Sequence, residues 1–224
     1  MKSVDMHRLL MHDNIDVGEH TIFYSPGKPV IDTSRPALLK IGDYCKITSG
    51  VVILTHDYSR SVLRRVYGDI VGEGRQTVIG DNVFIGMNSI VLMGARIGSN
   101  VIIGAGSIVS GEIPDNVVAA GNPVRVIRDL ETHYSIMKKR MLSDAESFYY
   151  AFEEKYGRKP SISEMNPFFP LFLRRNVEEL KANNLCLRLG GDDEKDILCN
   201  FLRTKPLFDG YEAFENYLEE KNHG

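Results

Sequence analysis

The chain has 224 residues, a formal net charge of −3, 43% apolar residues and 25% charged residues. That suits one domain of ordinary size, or one domain with an appendage, and argues against wholesale disorder. The slightly acidic balance excludes a broad electrostatic claim on nucleic acid, and no apolar run reaches the roughly 18 residues of a membrane helix.

The N-terminus, M-K-S-V-D-M-H-R-L-L-M-H-D, has no uninterrupted apolar stretch and reads poorly as a secretory signal. His7 and His12 carry no ligand motif, so no metal is expected there. The three cysteines (Cys45, Cys186, Cys199) are widely and irregularly spaced, which fits a reducing cytoplasm better than a disulfide framework.

Composition divides the chain near residue 130. Residues 1–130 hold 15 of the 20 glycines and 6 of the 20 Phe and Tyr residues, and residues 131–224 hold the rest. The first part favours strand and turn, the second helix.

A period of six runs through the first part. Residues 79–114 cut into sixes put Ile79, Ile85, Val91, Ile97, Ile103 and Val109 first, and glycine follows in four of the six (Gly80, Gly86, Gly98, Gly104). The same phase recurs at Ile41, Ile47 and Ile53, and Val17 and Phe23 fall in it. A chain turning about 120° every six residues makes a three-sided coil of about 18 residues, with first-position side chains stacked inward. Glycine after the inward residue is expected to supply the corner's backbone angles. Neither a helix of period 3.6 nor an alternating strand keeps this spacing. Cys45 falls at a fifth position, where small residues pack, and is expected to be structural.

The frame breaks twice. Residues 25–36 are expected to bulge, because Pro29 and Arg35 would take inward positions. Ile53 to Ile79 is not a multiple of six, so residues 59–77 are expected to leave the wall as a long loop, and such loops are usually functional. V-I-I-G-A-G-S-I-V resembles a dinucleotide-binding turn, but period six already accounts for it. Beyond residue 130, T-H-Y-S-I-M-K-K-R-M reads as a helix capping the last coil. S-D-A-E-S-F-Y-Y-A-F-E-E-K-Y reads as a second helix with a stripe at Phe148, Phe152 and Tyr156. Further helical stretches are expected near 176–183, 193–203 and 210–221.

Three segments, I-L-T-H-D-Y-S (53–59), T-V-I-G-D-N-V-F-I-G-M-N-S-I-V (77–91) and G-A-G-S-I-V-S-G-E-I-P-D-N-V-V-A-A-G-N-P-V-R-V-I-R (104–128), resemble hexapeptide-repeat acyltransferases. The resemblance runs from about Val17 to Arg128 and is closest to O-acetyltransferases of sugars, polysaccharides or antibiotics. It implies a mainly β fold, a left-handed parallel β-helix over residues 1–130, ahead of the helical C-terminal region that the residue pattern gives over 131–224. It also implies acetyl-CoA as co-substrate and a homotrimer with each active site between two subunits.

His56 then becomes the expected general base, since a neutral imidazole accepts the hydroxyl proton near pH 7. Asp57 and Tyr58 are candidates to orient it or to bind the acceptor. Phe84, Gly86, Ser89, Gly104, Ala105 and Ser107 are candidates to line the pantetheine arm, with Arg125 and Arg128 near the cofactor's phosphates. The family often has Trp at the position of Phe84 and Lys at that of Gly111, so one cation is missing here. N-acetylation of an amino sugar, acetylation of an antibiotic, and a non-catalytic assembly role stand as alternatives. A serine acetyltransferase is disfavoured because that group places its helices before the coils. A carbonic-anhydrase-like protein is disfavoured because only His56 lies in the repeats after residue 20.

Overall fold

The computed structural model describes residues 10–24, 29–185, 187 and 192–222. It divides into two compact units, Met1–His133 and Tyr134–Gly224.

The first unit is a three-sided coil of very short strands. One wall stacks β1 (Asp16–Val17), β4 (Leu39–Ile41), β7 (Thr77–Ile79), β10 (Arg96–Ile97) and β13 (Glu112–Ile113). A second stacks β2 (Ile22–Phe23), β5 (Lys46–Ile47), β8 (Phe84–Ile85), β11 (Ile102–Ile103) and β14 (Val117–Ala120). The third holds β3 (Val30–Ile31), β6 (Val52–Ile53), β9 (Ile90–Val91) and β12 (Ile108–Val109). All these pairings are parallel, and the register matches the sequence phase. Ile79 sits over Ile97, Ile85 over Ile103, and Val91 over Val109. The first-position residues are therefore the core: Ile41, Ile47, Ile53, Ile79, Ile85 and Ile103 are fully buried. Stacking identical apolar positions at the inter-strand spacing removes nearly all of each side chain from water.

The corners differ from expectation. Gly80, Gly86, Gly98 and Gly104 do not carry the left-handed backbone angles. Those fall two residues later, at Asn82 (φ 53°), Asn88 (φ 59°), Asn100 (φ 58°) and Gly106 (φ 68°). Asparagine tolerates this region through its short polar side chain. Here it also bonds coil to coil, Asn82 Nδ2 donating to Asn100 Oδ1 (2.9 Å) and Asn100 Nδ2 to Asn116 Oδ1 (3.0 Å). The glycine after the inward residue has a steric cause. A Cβ on Gly86 would lie 2.5 Å from the Ala105 nitrogen, and one on Gly80 2.8 Å from the Gly98 carbonyl carbon. The adjoining coils approach too closely there for any side chain.

The first interruption is smaller than the sequence suggests. Residues 25–28 lie outside the described residues. From Pro29 on, the chain rejoins the wall two residues out of phase, so that Ile31 sits over Ile53. Pro29 is buried in the place that Val51 holds one coil later, and Arg35 is exposed ahead of a 3₁₀ turn, Pro36–Leu38. The second interruption contains a helix, α1 (Arg60–Tyr67), closed by Gly68 at φ 77°. It ends earlier than expected: Thr77 is buried and already paired in β7.

The last coil does not pass directly to a helix. β15 (Arg125–Asp129) first turns back and pairs antiparallel with β14, covering that sheet's edge. Then α2 (Leu130–Tyr156) runs unbroken for 27 residues, where two helices were expected. Ser143, the first residue of the second expected helix, lies inside it and donates its hydroxyl to the Arg140 carbonyl (2.9 Å).

The second unit has a core of its own, built on Ala145, Tyr149, Met165, Phe172, Phe214 and Leu218. The buried side of α2 is thus Ala145 and Tyr149, whereas Tyr156 of the expected stripe is 55% exposed. α3 (Val177–Ala182), α4 (Glu194–Arg203) and α5 (Tyr211–Asn222) lie close to the expected stretches. Asn176 caps α3 by accepting from the Glu179 amide (2.7 Å), and Asp193 caps α4 by accepting from Lys195 N (2.9 Å).

Candidate functional site

His56 stands three residues beyond the inward Ile53, where the chain leaves the third wall and the long loop begins. Its side chain is 16% exposed. Nδ1 lies 2.5 Å from Oδ2 of Asp32, a carboxylate just after β3 in the coil below. Asp32 is itself held from several sides. Its Oδ1 accepts from Ser34 N (3.1 Å) and Ser34 Oγ (2.7 Å), and its Oδ2 accepts from Thr55 N (3.1 Å) and the Thr55 hydroxyl. Burial alone would favour the protonated acid. The bonds from Ser34, Thr55 and His56 outweigh it and hold the carboxyl far below the usual range. A permanent anion at Nδ1 keeps that nitrogen the protonated one and leaves Nε2 as the free acceptor.

This corrects one of the two roles expected of Asp57, that of orienting the imidazole. Its carboxylate accepts from Ser59 N (2.9 Å) and Ser59 Oγ (2.6 Å) in a local turn and does not orient the imidazole. Tyr58 packs edge-on to the His56 ring, centroids 5.4 Å apart, and is 81% exposed.

His56 and Asp57 border two depressions. One, of about 480 Å³, opens toward the loop and is lined by Ser34, Arg35, Tyr58, Arg60, Arg64 and Glu73 among others. The other, of about 270 Å³, follows the corner up the coils past Leu54, Leu92, Gly94, Ser110 and Gly111, with Arg75 at its side. The first carries more charged side chains, set among apolar surface, and the second is smaller, with more apolar and backbone surface.

An ion cluster closes the loop between them. Glu73, 7% exposed, receives Arg60 Nε (2.6 Å) and Arg75 Nη2 (2.8 Å), and Arg35 donates to its backbone carbonyl. The Arg60 hydrogen bond, with help from Arg75, lowers the Glu73 carboxyl to about 2. No residue of α1 is buried, so this cluster and not packing fixes the loop.

The expected cofactor residues sit elsewhere on the coil. Gly86, Ser89, Gly104, Ala105 and Ser107 form the corner between the second and third walls, away from the corner of His56. Phe84 projects from the second wall and is 39% exposed. Ala105 and Arg125 are exposed and Arg128 half-buried. Ser89 and Ser107 must be withdrawn as lining residues. Both are fully buried, and both donate to the Gly104 carbonyl (3.0 and 2.5 Å). Gly86 is buried under Ala105 and Gly104 half-buried, so their part is coil stacking, whatever else the exposed backbone offers. Cys45 is buried, its thiol pushed up by burial and 3.1 Å from the Gly80 carbonyl, as a packing residue would be. His7 and Cys186 lie outside the described residues. Among the described residues no group of three or more His, Cys, Asp or Glu side chains gathers to hold a metal.

Residues 76–111 match the family described as bacterial transferase hexapeptide (six repeats). Protein CapG of Staphylococcus aureus is 42% identical over 133 residues, covering 57% of this chain and 76% of that protein. The chain belongs to the hexapeptide-repeat transferases. The galactoside O-acetyltransferase of Escherichia coli K12 is 54% identical over 59 residues, 25% of this chain and 29% of that one. A solved structure of a galactoside acetyltransferase in complex with coenzyme A overlaps with a TM-score of 0.43 and 38% identity, over 52% of this chain and 56% of that chain. The chain therefore spans little more than half of that solved relative and under a third of the Escherichia coli enzyme.

Within this hexapeptide-repeat transferase, sequence reasoning missed Asp32, Ser34, Glu73 and Arg60. Asp32 is 24 residues from His56, and only the register Ile31 over Ile53 brings them together. Glu73→Gln is expected to free the loop without loosening the coil. Amide exchange over residues 60–75 should accelerate at least tenfold while the exchange of the coil strands stays as it was. The same loosening is expected in the unaltered chain as pH falls. Glu73 has its pKa lowered, so its clasp is intact above its ordinary value near 4.5 and is lost toward about 2.

Proposed function

We propose that this chain is an acetyl-CoA-dependent O-acetyltransferase that acetylates a hydroxyl of a saccharide, with His56 as general base. The observation that carries the reading is the His56–Asp32 pair, placed on the lip between a charged cleft and a smaller groove. The name of the galactoside O-acetyltransferase it resembles over 59 residues supports the chemistry.

The charged cleft suits the acceptor and the smaller groove the thioester end of the pantetheine arm. His56 Nε2 takes the proton as the acceptor oxygen bonds to the acetyl carbonyl carbon. Asp32 stabilises the imidazolium that forms. As the carbon–sulfur bond breaks, His56 returns the proton to the departing thiolate, so the pair ends as it began. A thiolate leaves readily, and no covalent enzyme intermediate is needed. Alignment of the two substrates in adjoining depressions contributes alongside base catalysis.

The coil is left-handed and the working unit a trimer in this reading. Phe84, Ala105, Arg125 and Arg128 lie on a different edge from His56, and a second copy carries them across the groove to complete the cofactor site. Free Cys45 and Cys199 are consistent with a cytoplasmic setting.

Calorimetry with acetyl-CoA, followed by thiol release with glycoside and amino-sugar acceptors, tests the reading. One micromolar site per chain and release that depends on a hydroxyl acceptor are expected. Lack of binding at millimolar acetyl-CoA overturns it.

A further inference from the structure

The acceptor cleft is more basic than the chain that contains it. Of the ionised side chains that line it, Arg35, Arg60 and Arg64 are cationic and Asp57 and Glu73 anionic, although the whole chain is at −3. The anions are already engaged. Asp57 is held by Ser59, and Glu73 by Arg60 and Arg75. Arg35 reaches only the backbone carbonyl of Glu73, and among the described residues Arg64 meets no carboxylate at all. Arg60 and Arg64 are four apart on α1, which puts them on one side of that helix facing the cleft. Beside them and His56 stand the Ser34 and Ser61 hydroxyls, the Tyr58 ring and the apolar Ile70 and Val71.

Two guanidinium groups without carboxylate partners, set beside the proposed base, form an anion-recognition pair. A guanidinium presents paired donors that match a carboxylate or phosphate in a way a neutral sugar cannot exploit. Hydroxyls and small apolar surface beside them suit a pyranose ring. From this arrangement we infer that the acceptor is an anionic saccharide, its acid group held by Arg64 and Arg35 while a ring hydroxyl faces His56. The inference rests on the acetyltransferase reading for the reaction, but its binding half stands separately.

The test is calorimetry on the full chain with three probes in the presence of coenzyme A: methyl glucuronoside, methyl glucoside and glucose 1-phosphate. The two anions are expected to bind at least about tenfold more tightly than the glucoside, the scale of a charge-assisted hydrogen bond. That preference should shrink as salt is raised. Arg64→Gln should bring the ratio close to one, and Arg65→Gln, on the same helix but outside the cleft, should leave the ratio intact. Tighter binding of the glucuronoside than the phosphate assigns the anion to a uronate, and the reverse order to a sugar phosphate. Glucoside binding as tight as that of the anions, no binding of any probe, or equal loss of preference in both variants overturns the inference. Thiol release measured with acetyl-CoA in parallel separates the two claims. Transfer without anion preference sinks the anion site alone, and anion preference without transfer sinks the acetyltransferase reading alone.

Discussion

His56→Ala is expected to lower kcat by about 10²–10⁴, the usual worth of a positioned general base. The dissociation constant for acetyl-CoA should stay close to that of the unaltered chain. The imidazole is one of nine residues that line the groove, and the remaining lining, from Leu54 to Gly111, is untouched. The fold should also survive. Asp32 loses one partner but keeps the amides and hydroxyls of Ser34 and Thr55, so its charge is not stranded. A fall in kcat with unchanged cofactor affinity and unchanged melting temperature is thus the signature of lost base catalysis. Turnover near that of the unaltered chain would remove His56 from the mechanism.

Where the sequence was informative, one physical cause acted on every repeat. Ile79, Ile85, Val91, Ile97, Ile103 and Val109 are buried because each must stack on the coil before it, and a period so enforced is visible without any structure. The glycines were visible for the same reason, but their cause was misassigned. Period six says that a side chain is forbidden after the inward residue. It does not say whether the backbone angle or the neighbouring coil forbids it, and the coil does. Ser89 and Ser107 were misplaced because a small residue reads alike on the inside and the outside of a corner. Their hydroxyls are spent on the Gly104 carbonyl.

The site was legible only where it is local. His56 announced itself by its place between the last regular strand and a long loop. Asp32 did not, because it lies in the stretch where the phase slips by two residues, and without that slip its side chain has no defined neighbour. The clasp of Arg60, Glu73 and Arg75 was hidden for a similar reason. Residues 59–77 fall outside the period of six, and a contact between charged residues 13 apart in such a stretch leaves no pattern. The helix α1 does carry an apolar stripe at helical spacing, Val62, Leu63, Val66 and Tyr67, but the stripe is exposed and short, and the period of the coil says nothing about it. Features set by burial were readable, and features set by pairing between polar side chains from different coils were not.

Asp32→Asn is expected to lower kcat on the order of 10², with the KM for acetyl-CoA nearly unchanged and a modest fall in melting temperature from the lost Thr55 bonds. The substitution keeps one oxygen, which still accepts from Ser34, but an amide nitrogen turned to His56 stands where Oδ2 accepted from Thr55, so the Thr55 bonds are lost. It replaces an anion that accepts from His56 Nδ1 by an amide that can donate to it. An imidazole accepting at Nδ1 carries its proton on Nε2, the atom that must be free to take the acceptor's proton. The penalty therefore falls on the chemical step, not on binding. Nitrogen NMR of labelled histidine separates this from a general loosening of the site. The protonated nitrogen of His56 should move from Nδ1 to Nε2 in the variant. Asp32→Glu, which restores the charge with a longer reach, should recover part of the lost turnover and return the proton to Nδ1. An unchanged tautomer together with unchanged kcat would show that Asp32 holds the loop and does not position the base.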